Sequence, residues 1–475
     1  MNILLIGSGP AGYACMNKLT KNNNLNITLI DNSEIKNYKP NIKCTYDQKY
    51  SSTSRITDWD IFDQNQINLS NLISKNFGGL STIWGSAVSE PISEEMKEYS
   101  SNNIEISKYL KDLNETQTFL TNEEDTYKKN ITLPVSSDLK KLLSKIKNLK
   151  IFNVSYSKFL INSTKSVDDS ICTSCGSYRF LCKNNSLWTT EYEIMKLIKQ
   201  NRINYLPNHK LISFKESEKT VLCNIQTNKE ILEMKFDALF IGAGAFATSE
   251  IFMNSGYAET VEIENSDLCT IPFLKKTNSA PSKVSHPILF IDDVVREKIL
   301  FSQLYFYSDN LLKIFLKSSL LSSFIIKLPN ILKNFFGAMR IFLDPKISSK
   351  IILTKVDNEI QKEIKSIDPS FQKEYLDLFL TKFKKVGILP FSMFSKTSVN
   401  GESYHFGGQF KPNNLIKENS SDLYGRIANL KNTYIIDSSV LPVVNTGPIT
   451  YSVMANSQRI ADHFLNNIDD KLSNL

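Results

Sequence analysis

Three glycines at fixed spacing, Gly7-x-Gly9-x-x-Gly12, separate a short apolar run from a segment of helical composition. Asn2 to Ile6 is almost continuously apolar, which is the pattern of a strand buried on both faces. Gly7 permits the tight turn, Gly9 lets the backbone approach a pyrophosphate, and Gly12 lets helix and strand pack closely. Pro10 and Ala11 then open a helix whose free N–H groups and dipole suit phosphate. A second strand, Asn26 to Ile30, ends at Asp31, 19 residues after Gly12. That is where a carboxylate for an adenosine ribose is expected. A parallel β-α-β unit of this kind predicts a doubly wound α/β domain. By itself it does not choose between FAD and NAD.

A chain of 475 residues has room for two to three domains. Hydrophobic residues at 41% against 22% charged exclude wholesale disorder, a collagen-like fibre and a multi-span membrane protein. The net charge of +7 is spread along the chain, with no basic block to serve as a nucleic-acid arm. No nucleic-acid partner is expected; the surplus favours at most an anionic substrate or a membrane surface. Seven cysteines in a long chain do not form a secreted disulfide framework. Met1-Asn2 leads straight into the first strand with no basic n-region, so no signal peptide is read and the expected location is cytoplasmic. No apolar run reaches the length of a spanning helix.

Further along, 93–150 reads as helical and charged without a catalytic signal. Thr190 to Gln200 reads as a helix. Ile203 to Leu206, Lys210 to Phe214 and Val221 to Ile225 read as a small antiparallel meander. Phe236 to Ile241 is an apolar strand that runs into Gly242-Ala243-Gly244-Ala245 and a helix near Ser249 to Met253. The stretch 311–343 is apolar and aromatic, punctuated by Lys327, Lys333 and Arg340. A core segment is the favoured reading. An amphipathic element giving peripheral membrane contact is the sharper alternative.

Two more glycine-rich segments accompany the first. Phe77-Gly78-Gly79-Leu80-Ser81-Thr82-Ile83-Trp84-Gly85 offers a backbone that approaches a flat ring. Near the C-terminus, His405-Phe-Gly407-Gly408 precedes a strand ending at Asp437, then Asn445-Thr446-Gly447-Pro448-Ile-Thr450 and a helix from about Tyr451 to Phe464. With the Gly242 segment, these motifs stand in an order that resembles the glucose–methanol–choline flavoprotein oxidoreductases. The nearest likeness is to cholesterol-oxidase-like and pyranose-oxidase-like members, which carry His-x-Gly-Gly. The resemblance covers roughly 1–92, 185–262 and 400–475. It implies that these segments form a Rossmann-type FAD-binding domain, a parallel sheet plus β-meander. The segments 93–184 and 263–399 would form a discontinuous α+β substrate domain on an antiparallel sheet.

The resemblance also implies roles. Gly7, Gly9, Pro10, Ala11, Gly12 and Asp31 would hold the ADP half of FAD. Gly78, Gly79, Leu80, Ser81, Trp84 and Gly85 would lie beside the isoalloxazine ring. Ala243, Gly244, Asp437, Gly447 and Pro448 would complete the cofactor site, with Asp437 near the ribityl chain and pyrimidine edge. The 79–84 loop holds no His, so the flavin is expected to be non-covalent. His405, one of four histidines, would take the hydroxyl proton while hydride passes to the flavin N5. The implied substrate is a small alcohol or sugar, with a lipid-linked saccharide as a further option; the sequence does not name the electron acceptor. The family's usual His or Asn partner has no clean match here. Thr446 falls at that position when the following Thr is aligned to Thr450, Gly447 when the Pro is aligned to Pro448, and Asn445 is an Asn one or two residues early. Asn445 and Thr446 are therefore the candidates beside His405.

Cys172-Thr-Ser-Cys175-Gly-Ser-Tyr178 with Cys182 nearby is the remaining cluster. Structural cysteines are the favoured reading, and no metal is expected. The alternatives are a dithiol/disulfide flavoprotein working through Cys172 and Cys175, or a non-catalytic protein that keeps FAD as a structural element. Against the dithiol reading, Ala247 stands where a second dinucleotide fingerprint needs Gly. Cys15, Cys44, Cys223 and Cys269 read as ordinary thiols.

Overall fold

The computed structural model describes residues 1–33, 74, 76–82, 84–121, 130–132, 137–161, 186–276, 287–307, 325, 327–357, 359–397, 403–413, 419–427 and 430–468. Cys44, Ile83, Cys172, Cys175, Cys182, His286 and most of 308–326 lie outside them.

A five-stranded parallel sheet runs in the order Thr433–Ile435, Ala238–Ile241, Asn2–Ile6, Asn26–Asp31, Asn204–Pro207. The first strand is central, flanked by strands on both sides, and Ile3, Leu4 and Leu5 are fully buried, as are all four residues of its neighbour Ala238–Ile241. Two helices cover one another and the sheet, Pro10–Leu19 and Thr450–Asn466. Ser457 Oγ donates to the Ala11 carbonyl at 2.7 Å and ties them together. The doubly wound expectation holds, and so does the helix near residue 190, observed at Thr190–Lys199. The meander is shifted by one strand. Asn204–Pro207 pairs in parallel with Asn26–Asp31 as the sheet edge, and Lys210–Glu216, Val221–Gln226 and Ile231–Phe236 make the antiparallel three. The short loop at Asn208, with φ 57°, turns the chain from one sheet into the other.

The second large layer is a seven-stranded antiparallel sheet. Its main path is Ile388–Pro390, Leu268–Lys275, Phe336–Leu343, Lys298–Phe306, Leu289–Val295, Asn153–Tyr156, with Lys396–Thr397 added beside Leu268–Lys275. Period-2 alternation divides its faces. Leu300, Leu304, Met339, Ile341 and Leu343 face a core completed by Phe379 and Phe383 of helix Pro369–Lys385. Gln303, Tyr305, Arg340 and Phe342 face the other way, into a cavity. Residues 336–343 are therefore a buried strand of this sheet, because they fit a pleated surface and not a helical stripe. Within the described part of 311–343, the strand Phe336–Leu343 follows the core-segment reading, whereas Ile331 and Leu332 of the short helix Asn330–Lys333 are exposed. A four-stranded sheet joins the two layers, pairing Thr260–Asn265 with Lys350–Val356 and with Phe406–Gly407. Among the described residues no helix is long and apolar enough to cross a membrane.

Gly12 is fixed by contact: a Cβ there would lie 1.9 Å from the Gly7 carbonyl oxygen. Gly12→Ala gains roughly 1 kcal/mol of helix propensity. The clash with backbone outweighs it, and urea unfolding is expected to show a net loss of about 1–3 kcal/mol. Lys275 is buried at a strand end with its ammonium 4.4 Å from the Phe306 ring centroid. Burial lowers its pKa from 10.5 to about 8. Folding therefore expels a proton between about pH 8 and 10.5, and its contribution to stability rises with pH across that window. Lys275→Met is expected to stabilise the fold below pH 8, with the gain vanishing toward pH 10.5 in paired denaturation curves.

Candidate cofactor and active site

The carboxyl ends of the parallel strands open onto one cavity. It is lined by Gly7 through Ala11 and Asp31 from the first unit, Gly79 to Ser81, Trp84 and Gly85, and Gly242 to Ala247. His405, Asp437, Pro448 and Thr450 close it from the C-terminal segments. Three glycine-rich segments far apart in sequence thus meet, and His405 stands in the same space. Gly12, Gly78 and Gly447 lie behind the wall. Gly12 packs on Gly7, the Gly78 N–H donates to Ser8 Oγ, and a Cβ on Gly447 would meet Phe301 at 3.1 Å.

Ser8 is a hub that sequence reasoning passed over. Its hydroxyl donates to the Asp31 carboxylate at 2.5 Å and accepts from the Gly78 N–H at 2.7 Å. Its own carbonyl accepts from Thr190 Oγ1 at 2.7 Å, and Thr190 N–H donates to Ser81 Oγ at 3.1 Å. The Gly7–Gly12 loop, the Asp31 carboxylate and the 77–85 loop are therefore locked by one hydrogen-bond chain. Burial raises the Asp31 pKa, and hydrogen bonds from Ser8 and Ser33 oppose that shift. Thr190 leaves only a weak trace in sequence, since Ser/Thr at a helix start reads as a cap.

Asp437 plays a matching part on the other side. Its carboxylate accepts from Gly244 N–H at 2.8 Å, Thr248 Oγ1 at 2.6 Å and Ser439 N–H at 2.9 Å. It is buried, which raises its pKa against those hydrogen bonds. The His-x-Gly-Gly motif is explained by close approach to the next turn. A Cβ on Gly407 would lie 2.3 Å from the Ser438 carbonyl, and Gly408 N–H donates to that carbonyl at 2.9 Å. Just before it, Tyr404 sits at φ 59°, a left-handed conformation that costs an L-residue about 1–2 kcal/mol.

His405 is 9% exposed, and its ring stacks on Phe342 at 4.7 Å between centroids with planes 15° apart. Its Nδ1 lies 3.2 Å from the Thr446 carbonyl. A carbonyl only accepts, so Nδ1 carries the proton and Nε2 of the neutral ring carries the lone pair. Asn445 and Thr446 are brought beside His405 in a different manner from the one expected. Neither lines the cavity. The Asn445 side chain donates to Glu95 Oε2 at 2.7 Å, and the Thr446 N–H donates to Glu95 Oε1 at 2.7 Å. Thr446 reaches His405 through its backbone carbonyl alone in the hydrogen bond described. Glu95, on helix Ser93–Ser101, also accepts the Ile92 N–H and is 2% exposed. Burial raises its pKa, with the Asn445, Thr446 and Ile92 donors opposing. The 93–150 stretch therefore supplies the support of the His405 turn, although nothing in Ser93-Glu94-Glu95-Met96 separates Glu95 from a solvated helix face.

The described thiols lie outside this chemistry. Cys15, Cys223 and Cys269 are free and buried, and burial raises each pKa, to about 12 for Cys223 and Cys269. Raised pKa values make poor nucleophiles. Among the described residues no three His, Cys, Asp or Glu side chains cluster as a metal site.

No family model matches the chain. No curated protein matches it either. Solved structures do. The chain is similar to pyridoxine 4-oxidase from Mesorbium loti, at 12% identity and TM-score 0.64, over 98% of this chain and 99% of that one. It is similar to formate oxidase from Aspergillus oryzae RIB40, at 11% identity and TM-score 0.63, over 99% and 98%. An FAD-dependent oxidoreductase from Chaetomium thermophilum follows at 12% identity and TM-score 0.60, over 98% and 99%. The fold of these proteins is the fold of this chain along essentially its whole length.

Glu95 accepts three hydrogen bonds with two oxygens, and a Gln at that position offers one acceptor oxygen and an NH2 that faces a donor. Glu95→Gln is expected to cost about 1–3 kcal/mol in urea unfolding, and Glu95→Ala at least as much.

Proposed function

We infer that this protein is an FAD-dependent oxidoreductase of the glucose–methanol–choline type that oxidises a CH–OH group of a small alcohol or sugar. The observation that carries this reading is a buried histidine of defined tautomer in the cavity where two glycine-loop helices begin. Full-length likeness to two oxidases and an FAD-dependent oxidoreductase supports it.

The residues present fit FAD. Helix Pro10–Leu19 begins at Gly9 and helix Ala245–Asn254 at Gly244, and neither N-terminus is capped by a side chain. A Cβ on Gly9 or on Gly244 would meet nothing within 4 Å, so cavity space lies directly before both. Uncapped N–H groups at the positive end of a helix suit a diphosphate. Gly9, Pro10 and Ala11 would hold that group and Asp31 the adenosine ribose. Gly79 to Ser81 and Trp84 would flank the ring system, with Ala243, Gly244, Asp437 and Pro448 along the remaining wall. Non-covalent attachment is proposed, since the 79–84 loop holds no His.

Bound FAD supplies the two-electron hydride acceptor. The chain supplies the rest. His405 Nε2 accepts the hydroxyl proton as the carbon gives up its hydride, leaving a carbonyl product. The Thr446 carbonyl holds Nδ1–H, so the ring presents its lone pair and the imidazolium that forms is stabilised by an oriented acceptor. Glu95 positions that carbonyl by holding the Thr446 amide and the Asn445 side chain. Phe342 packs on the imidazole and keeps water from one of its faces. On this reading 1–92, 185–262 and 400–475 hold the cofactor, and 93–184 with 263–399 enclose the substrate. A reducing, cytoplasmic setting is proposed in keeping with three free buried thiols.

The purified protein is expected to show twin flavin absorbance bands, released to the supernatant by acid precipitation. His405→Ala should keep FAD bound yet slow anaerobic bleaching by an alcohol substrate by a factor on the order of 10² to 10⁴. A colourless protein that takes up no added FAD would refute the assignment.

A further inference from the structure

Gln303 lines the same cavity as His405, yet the chemistry above gives it no part. It sits in the interior of strand Lys298–Phe306, which is paired on both sides, with Phe290 and Arg340 opposite it. Such a position is rigid, and the residue is 6% exposed. Phe301, two residues back, projects on the same face. Phe301 packs at 6.2 Å between ring centroids against Phe342, whose ring stacks at 4.7 Å on His405. Gln303 therefore stands one pleat repeat, about 7 Å, along the strand from the aromatic contact that backs the histidine.

The amide is oriented from one side. Tyr305 Oη donates to Gln303 Oε1 at 2.7 Å. With its oxygen engaged, the amide turns its NH2 the other way, and that NH2 makes no hydrogen bond among the described residues. Nε2 is not one of the sealed polar atoms of the interior, so it is reached from the cavity. Other buried glutamines of this chain use the same group to hold structure. Gln409 Nε2 donates to the Ala245 carbonyl and to the Ser249 and Ser439 hydroxyls. Gln372 Nε2 donates to the Asp267 carboxylate and the Ile347 carbonyl. A desolvated donor left without an acceptor is costly. An apolar substrate covering Gln303 would impose that cost in full, whereas a substrate oxygen removes it.

We propose that Gln303 is a specificity-determining residue: its NH2 donates to a second hydroxyl of the substrate while His405 meets the hydroxyl that is oxidised. The substrate is then a polyol or sugar and not a simple hydrocarbon alcohol. This rests on the oxidoreductase reading above and narrows its substrate class. Two anchors at fixed separation, the imidazole and the amide, also select which hydroxyl of the polyol reaches Nε2 of His405. Tyr305 acts through Gln303 as a positioning residue, by fixing which end of the amide faces the cavity.

The test is titration calorimetry on the FAD-loaded protein with D-glucose, D-galactose, glycerol and myo-inositol, and with cyclohexanol as the control that has no second oxygen. Wild type should bind at least one polyol more tightly than cyclohexanol. For that polyol, Gln303→Leu should lower the ratio of polyol to cyclohexanol affinity by about 5- to 100-fold. Tyr305→Phe should lower the ratio by a smaller factor, because the amide then loses its fixed orientation. A merely structural defect would weaken both ligands together and leave the ratio unmoved. Far-UV circular dichroism and retained flavin absorbance establish that each variant is folded and loaded. A wild type that binds no polyol more tightly than cyclohexanol, or a ratio that is the same in wild type and Gln303→Leu, overturns the proposal. So does a folded Gln303→Leu that no longer retains FAD, since the amide would then serve the cofactor. If the ratio depends on Gln303 in a protein that takes up no FAD, the specificity site stands and the oxidoreductase reading falls. If FAD binds and His405 is required for its reduction while Gln303→Leu changes nothing, only the specificity site falls.

Discussion

Ile6 pairs with Ile241, and Ile241 pairs with Ile435, in parallel and in register. Those two pairings bring three strands from distant parts of the chain to one common edge. Parallel strands end on the same side, so the segments that follow them must share one crevice. The fit at that edge is close. A Cβ on Gly7 would lie 2.4 Å from the Gly242 carbonyl, and Asp437 accepts the Gly244 N–H. A slip of one residue in either pairing would invert every side chain of the strand and separate the loops. The rest of the site assumes this alignment.

Buried carboxylates then convert an edge into a rigid site. Asp31, Glu95 and Asp437 each sit in a place where burial opposes ionisation, and each is met by N–H or O–H donors. Each crosses between segments far apart in sequence: Asp31 to Ser8, Glu95 to Thr446, Asp437 to Gly244. Such charges are costly unless their hydrogen bonds are well made, which favours one arrangement over many. The work of holding is done by these acids, which leaves the helix N-termini and His405 to face the cavity.

The Gly7–Gly12 loop was legible because its three glycines, its flanking strands and Asp31 answer one geometric demand with fixed spacing. His405 was legible through Gly407 and Gly408, whose lack of side chains the Ser438 turn requires. Other elements carried no such local signature. Glu95 looks like any acidic residue near a helix start, and its partner lies 350 positions away. Asn204–Pro207 joined the parallel sheet in place of the meander, because edge membership is decided by a tertiary partner and not by composition. Residues 336–343 hid a strand inside an apolar stretch, since continuous hydrophobicity reads alike for a buried helix and a buried strand. Arg340 was visible only as a charge interrupting that stretch, and its alternation with Phe342 gained meaning once the strand was known.

The central position of the first strand also shapes how the chain is born. Asn2–Ile6 leaves the ribosome with Asn26–Asp31 available on one side, but its other neighbour starts at residue 238. At roughly 5–20 residues per second, that neighbour follows some tens of seconds later. The outer strand Thr433–Ile435 and helix Thr450–Asn466, which packs on helix Pro10–Leu19, follow later still. Throughout that interval an apolar strand waits with one edge unpaired, the condition that invites aggregation and recruits chaperones. With this topology the parallel sheet is complete only once Thr433–Ile435 has emerged, so yield in a cell depends on translation speed and on holding factors as much as on final stability.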